Sequence, residues 1–290
     1  MTTAVVTGAT SRIGYHYARH LASQGHDLVV AARGEERLHS VADELSRAHS
    51  VSVTQVVADL STAKGVLSVL DVATGATIVV ANAGSSLASR VGQTAWPDLD
   101  RLSYLLGPGV AQLCEGLVPS MLEARTGRIT IIASIGGLIP MPKSAIYSAA
   151  KAYAIGYGRS AHAELTGRGI RVCTICPGYV RTELHRASGL EHLPDRVPRW
   201  MCIEPEDVVR AAERGLDRST SVVVPGLVYK AARPFLQSTF AGSAWRRMTR
   251  RLRSAPVNLK ADPTRTCSTR MPSMTVTSRS STERSGSRAP

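Results

Sequence analysis

The stretch Thr7-Gly8-Ala9-Thr10-Ser11-Arg12-Ile13-Gly14 decides how this chain is read. It continues the short, β-branched and apolar run Thr3–Thr7 and opens into residues 13–24, where apolar positions recur at helical spacing. Strand, glycine turn and helix in that order bring free backbone N–H groups and the positive end of a helix dipole to one spot, which favours a diphosphate. G-x-x-x-x-x-G is a loose spacing, so taken alone the turn also reads as simple punctuation.

Outward from this turn the pattern repeats. Residues 28–32, 51–58 and 77–81 read as strands and residues 35–48 as a helix. Beyond Pro97 the chain has helical period to Ala124 with a break at Gly107-Pro108. A strand over 129–133, a long helix over 145–165 and a strand over 170–175 follow. Pro177-Gly178 ends that strand, 184–200 reads as a mobile loop, 205–216 as a helix and 221–224 as a last strand. Alternation of this kind predicts an α/β architecture, a parallel sheet covered by helices on both faces.

The expected organisation is one domain over residues 1–225, an amphipathic helical extension over 226–253 and a tail over 254–290. The extension carries Phe235, Leu236, Phe240, Trp245 and Met248 on one side and five arginines between Arg246 and Arg253. The tail is rich in Ser, Thr, Arg and Pro with few large aliphatics, which predicts disorder. The net charge of +13 is concentrated there: residues 243–290 hold 11 Lys/Arg against 2 Asp/Glu, leaving 24 against 20 for the body. Weak peripheral contact of this end with an anionic membrane is one expectation; the tail has no aromatic residues, so specific nucleic-acid binding is not.

No run of about 18 apolar residues occurs and residues 1–6 lack a basic n-region, so the cytoplasm is the expected compartment. Five cysteines are an odd number, which argues for thiols. Cys173 and Cys176 have C-x-x-C spacing, but they lie in a strand-like run whose alternation turns the two sulfurs to opposite faces, and no metal site is expected.

Four groups of residues sit at ends of predicted strands, the edge where open α/β sheets bind ligands. Arg33 follows Ala32, where folds selecting NAD place a carboxylate; its guanidinium suits a 2′-phosphate, so NADP(H) is expected over NAD(H). Asp59 and Asn82-Ala83-Gly84 follow the third and fourth strands, and each also reads as a turn former. Ser134 closes the fifth. On the helix after it, Tyr147 and Lys151 are spaced i, i+4 and share a face. A phenol exchanges protons poorly at neutral pH; a neighbouring ammonium is expected to lower its pKa so that Tyr147 passes a proton to or from an oxygen that Ser134 hydrogen-bonds.

In this order and at these spacings, Thr7 to Gly14, Asn82-Ala83-Gly84, Ser134, Tyr147-x-x-x-Lys151 and Pro177-Gly178 resemble the short-chain dehydrogenase/reductase family over about residues 2–224. The resemblance implies a doubly wound Rossmann fold with a seven-stranded parallel sheet, and a hydride transfer between the cofactor and a carbonyl or alcohol substrate with Ser134, Tyr147 and Lys151 as the catalytic set. It further implies that Gly8, Thr10, Ser11, Arg12, Ile13 and Gly14 face the cofactor phosphates, that Asp59 approaches the adenine, that Lys151 binds the nicotinamide ribose and that Thr182 touches the carboxamide. Leu60, Pro177, Gly178 and Val180 complete that cofactor set.

By the same resemblance residues 183–201 form the substrate lid, whose Leu184, Leu190, Leu193, Val197, Trp200 and Met201 suggest an apolar substrate. A homodimer or homotetramer through the helices around 108–124 and 145–165 is also implied. Two departures stand out: Arg12 replaces the middle glycine of the turn, and Tyr104 stands where an Asn usually bends the helix and links Lys151 to solvent. The expected activity is an NADP(H)-dependent oxidoreductase; the competing reading is a dinucleotide-binding sensor or scaffold without turnover.

Overall fold

The computed structural model describes residues 2–139, 141, 143–180, 198–226 and 228–231. Seven parallel strands form one sheet in the order β3-β2-β1-β4-β5-β6-β7. They are β1 (Thr3–Thr7), β2 (Asp27–Ala32), β3 (Val53–Val57), β4 (Ile78–Ala81), β5 (Gly127–Ile132), β6 (Ile170–Ile175) and β7 (Val222–Val223). The strand order reverses between β1 and β4, so a crevice opens at the carboxyl ends of these two strands.

Among the described residues seven helices connect them: α1 (Arg12–Ser23), α2 (Glu35–His49), α3 (Ala63–Val72), α4 (Trp96–Leu106), α5 (Pro108–Glu123), α6 (Ala145–Leu165) and α7 (Pro205–Asp217). Side chains alternate along each strand, so the sheet sorts its own residues into two layers. Ala4, Val6, Leu28, Val30 and Ala32 pack under Leu21 of α1, Leu38 of α2 and Val208 of α7. Val5, Val29, Ala31, Val79 and Ile131 pack under Val66 of α3, Leu117 of α5 and Ala154 of α6.

Helix α3 was not anticipated. Its first turn contains Gly65, which reads as a breaker, yet a Cβ there would lie 2.1 Å from the Asp59 carbonyl, so only glycine permits this close approach. Thr62 caps the helix, its hydroxyl accepting from the Gly65 amide at 3.1 Å. The alternation argument also fails to reach Cys176, which falls one residue past the end of β6; it and Cys173 are both buried in the layer beneath α1, α2 and α7. Thr182, most of the expected lid and all but the start of the 226–253 extension, with the tail, lie outside the described residues.

Candidate active site

The chain leaves β1 through Gly8, whose φ of +65° is at ease only without a Cβ. The Gly8 amide donates to the Ala31 carbonyl at 2.7 Å, tying the turn to β2. Ser11 then caps α1, its hydroxyl accepting from the Gly14 amide at 3.2 Å. Asn82, at the end of β4, binds this turn from the other side: its carboxamide donates to Thr7 O at 2.9 Å, to Gly8 O at 3.1 Å and to Ser11 Oγ at 3.1 Å.

The Thr7 hydroxyl returns the link, accepting from the amides of Asn82 and Ala83 at 3.0 and 3.1 Å. Gly14 sits so deep that a Cβ would lie 2.2 Å from Gly8 O and 2.6 Å from Asn82 Nδ2. Thr10 and Ile13 are half-buried beside the turn, and Arg12 is exposed on the first helical residue. A rigid turn delivering the start of α1 to the crevice, closed to any Cβ, fits a dinucleotide diphosphate.

On the β2 side, Arg33 is exposed one residue past the strand, and the pairing of Ala32 with Val57 brings it level with the end of β3. Asp59 lies there, with Leu60 buried beside it. Burial pushes the Asp59 carboxyl up, but the hydrogen bonds from Ser61 and the cations Arg101 and Arg33 outweigh it, and the group lies below the usual range. Arg101, reaching from α4, pairs with Asp59 Oδ2 at 2.5 Å; no local pattern around either residue announces this contact.

The second half of the site stands at the ends of β5 and β6. Ser134 begins a 3-10 turn, Ile135–Gly137, and its hydroxyl accepts from the Gly136 amide at 3.0 Å. Tyr147, on the first turn of α6, and the Ser134 hydroxyl both flank Gly136, where a Cβ would lie 3.2 Å from Tyr147 Cε1 and 3.4 Å from Ser134 Oγ. Burial raises the phenol above its usual pKa, the Ser134 hydroxyl draws it part of the way down and Cys176 adds to the rise.

The expectation that an ammonium lowers this value is thus corrected: Lys151 Nζ donates instead to the Ile132 carbonyl at 2.7 Å. Lys151 is 5% exposed, and burial pulls its amine down to about 8, against a small opposing effect of Cys176. The i, i+4 spacing is as read, but the fold aims the two polar ends at different partners.

Tyr104, the second departure, turns toward α5. Its hydroxyl donates to Gln112 on α5, and its ring lies against Gly109, where a Cβ would be 3.0 Å from Tyr104 Cε1. The residue that α4 presents at its break is Leu106, fully buried, packed with Leu102 and Ala150 against Tyr147 and Ile146. A Cβ on Gly84 would meet Leu106 Cδ2 at 3.4 Å. Around Tyr147 the packing from α4 is therefore aliphatic.

Beyond β6, Pro177 O accepts from the Ile135 amide at 3.0 Å, and Gly178 is filled by Tyr229, whose Cζ would lie 2.1 Å from a Cβ. The Tyr229 hydroxyl accepts from the Tyr179 amide at 3.1 Å and donates to Met201 O at 2.9 Å. Val180 bridges to Ile203. Tyr229, which no local pattern singles out, thus ties Tyr179, before the segment expected to be the lid, to Met201 at its end. Among the described residues no group of three His, Cys, Asp or Glu can hold a metal, and no helix is long and apolar enough to cross a membrane.

Residues 2–192 match the family model described as short chain dehydrogenase. The chain is 32% identical over 235 residues to a very-long-chain 3-oxoacyl-CoA reductase of Anas platyrhynchos, covering 77% of this chain and 72% of the relative. A short-chain dehydrogenase from Sphingobium yanoikuyae solved with NADPH superposes with a TM-score of 0.74 at 29% identity, over 88% of this chain and 96% of that one. A bulky-bulky ketone specific alcohol dehydrogenase from Comamonas testosteroni gives a TM-score of 0.69 at 25% identity, over 91% and 98%.

Proposed function

Since the chain belongs to the short-chain dehydrogenase family, and so is an oxidoreductase of carbonyl or alcohol groups using a nicotinamide dinucleotide, we propose that it reduces a carbonyl on an apolar substrate with NADPH, using Ser134, Tyr147 and Lys151. Gly8, Ser11, Ile13 and Gly14 would hold the diphosphate, Arg33 the 2′-phosphate, Asp59 and Leu60 the adenosine, and Lys151 the nicotinamide ribose. Bound there, the reduced nicotinamide supplies the hydride.

The observation that carries the reading is the meeting of Ser134 and Tyr147 at Gly136, around a phenol that burial raises above its usual pKa. A protonated phenol is the form that donates. As the carbonyl carbon accepts hydride, its π electrons move to oxygen, and Tyr147 gives that oxygen its proton while Ser134 hydrogen-bonds it. The phenolate recovers a proton from solvent after product leaves. Leu87 and Ile146 pack at Tyr147, and Met141 lies beside Gly136, an apolar surround that suits an alkyl chain or bulky ketone of the kind named for the two relatives.

The test is NADPH and NADH oxidation across a panel of ketones and 3-oxoacyl thioesters. Tyr147→Phe is expected to lower kcat by at least about 100-fold, and Arg33→Ala to weaken NADPH binding about tenfold while leaving NADH unchanged. Nucleotide binding without turnover in the wild-type protein would overturn this reading in favour of a dinucleotide sensor, a role that the aliphatic Leu106 beside the catalytic helix would also suit.

A further inference from the structure

Asp59 is anchored more firmly than a solvated turn residue. Its backbone carbonyl accepts from the Thr62 amide at 3.1 Å and the Thr62 hydroxyl at 2.9 Å, and Gly65 lies directly against it. One carboxylate oxygen, Oδ1, accepts from the Ser61 amide at 3.1 Å and the Ser61 hydroxyl at 2.7 Å. The other, Oδ2, accepts from Arg101 Nη2 at 2.5 Å. Every one of these partners except Arg101 comes from the next turn of chain.

Arg101 arrives from α4 across a gap. A cavity of about 460 Å³ opens where the start of α3 faces α4, lined by Ser61, Thr62, Arg101, Ser103 and Tyr104. Arg33, past the end of β2, lies within Coulombic reach of the same carboxylate. Both side chains of the Arg101–Asp59 pair are partly open to solvent, and an ion pair so exposed stabilises a fold little. Its place at the ligand edge of the sheet argues for a different use.

A carboxylate has about four lone-pair sites. Among the described residues the Ser61 amide, the Ser61 hydroxyl and the Arg101 guanidinium take three of them on Asp59. One acceptor position remains, on a group held from two sides beside the end of β3. That position suits one N–H of a purine 6-amine. It repels a 6-oxo purine, whose carbonyl oxygen would meet the carboxylate lone pair. Ser61 by itself holds a single oxygen, about which the carboxylate plane still swings; Arg101 on the second oxygen fixes that plane.

We infer that Arg101 is a specificity-determining residue of the cofactor site: acting through Asp59, it makes the site select adenine over a 6-oxo purine. This rests on the reading of the crevice as a dinucleotide site. The two cations divide the recognition, Arg33 facing the 2′-phosphate and Arg101 setting the acceptor for the base.

The experiment is fluorescence titration with NADPH, NADH and the reduced hypoxanthine analogue of NADPH, in wild type, Arg101→Gln, Asp59→Asn and the double variant. Gln suits a helix surface, and thermal melting checks that each variant keeps its fold. Wild type should bind NADPH about 30-fold more tightly than the hypoxanthine analogue, the scale of one hydrogen bond to a charged group. Arg101→Gln should weaken NADPH and NADH alike by about tenfold and leave the hypoxanthine analogue within about twofold. In the Asp59→Asn background the same exchange should change nothing further, as expected of a residue that acts through its partner.

Equal losses for the adenine and hypoxanthine cofactors would overturn the role, as would a loss confined to the 2′-phosphorylated cofactors or an undiminished Arg101→Gln effect in Asp59→Asn. Wild type that binds both bases equally removes the adenine selection and leaves the dinucleotide site. Binding of none of the three nucleotides removes the dinucleotide reading and the selection with it.

Discussion

Replacing Lys151 by Met should make the protein more stable while abolishing turnover. The amine is 5% exposed, and burial lowers its pKa from 10.5 to about 8. That depression of about 2.5 units corresponds to roughly 3 kcal/mol of cost at pH 7, where both the folded and unfolded amines are charged. Losing the hydrogen bond to Ile132 O takes back about 1 kcal/mol. Lys151→Met should therefore gain about 2 kcal/mol, or about 4–8 °C in Tm.

The sign with pH is fixed by the same shift. Between pH 8 and 10.5 the folded amine has released its proton and the unfolded one has not, so wild-type stability rises with pH across that window. By pH 9.5 the cost has fallen to about 1 kcal/mol, the same size as the lost hydrogen bond, and the advantage of the variant should vanish. Urea unfolding of both proteins at pH 7 and 9.5 without cofactor measures this. A variant less stable than wild type at pH 7, or a gap that does not shrink by pH 9.5, would refute the claim that the site holds Lys151 at the expense of stability.

Gly14→Ala should cost at least about tenfold in NADPH affinity and lower Tm, because its Cβ would lie 2.2 Å from Gly8 O; fluorescence titration showing unchanged affinity would mean the turn yields. Glu213, bonded to Tyr17 at 2.5 Å and to Arg128, has its carboxyl pushed up by burial but drawn down further by His20, Tyr17 and Arg128, to a net value below 4.5. Its stabilisation is complete above 4.5 and is lost as pH falls through the lower folded value. Glu213→Gln should thus cost on the order of 3 kcal/mol at pH 7, a gap that closes in acid, and a gap independent of pH would show that shape rather than charge holds the residue.

Much of this architecture is legible residue by residue because it is set by local backbone geometry. The alternation of Ala4, Val5 and Val6 assigns them to opposite layers whatever lies above them. The i, i+4 step from Tyr147 to Lys151 shares a helix face in any fold, and Ser11 three residues before Gly14 is a capping distance. Helix α3 escaped because the close approach that demands Gly65 is made by the Asp59 backbone, a contact that no window of helical periodicity contains.

By itself, then, the sequence determined the layered sheet, the glycine turn and the order of the candidate catalytic residues, each from the pitch of a strand or helix. Tertiary structure alone decided what those residues are electrostatically. Lys151 turned to Ile132 O, the phenol of Tyr147 rose rather than fell, Arg101 reached Asp59 from another helix, and Leu106 packed against the catalytic helix. Burial and Coulomb fields sum over neighbours that are distant in the chain, so a charge state becomes defined only once the whole fold has closed around it.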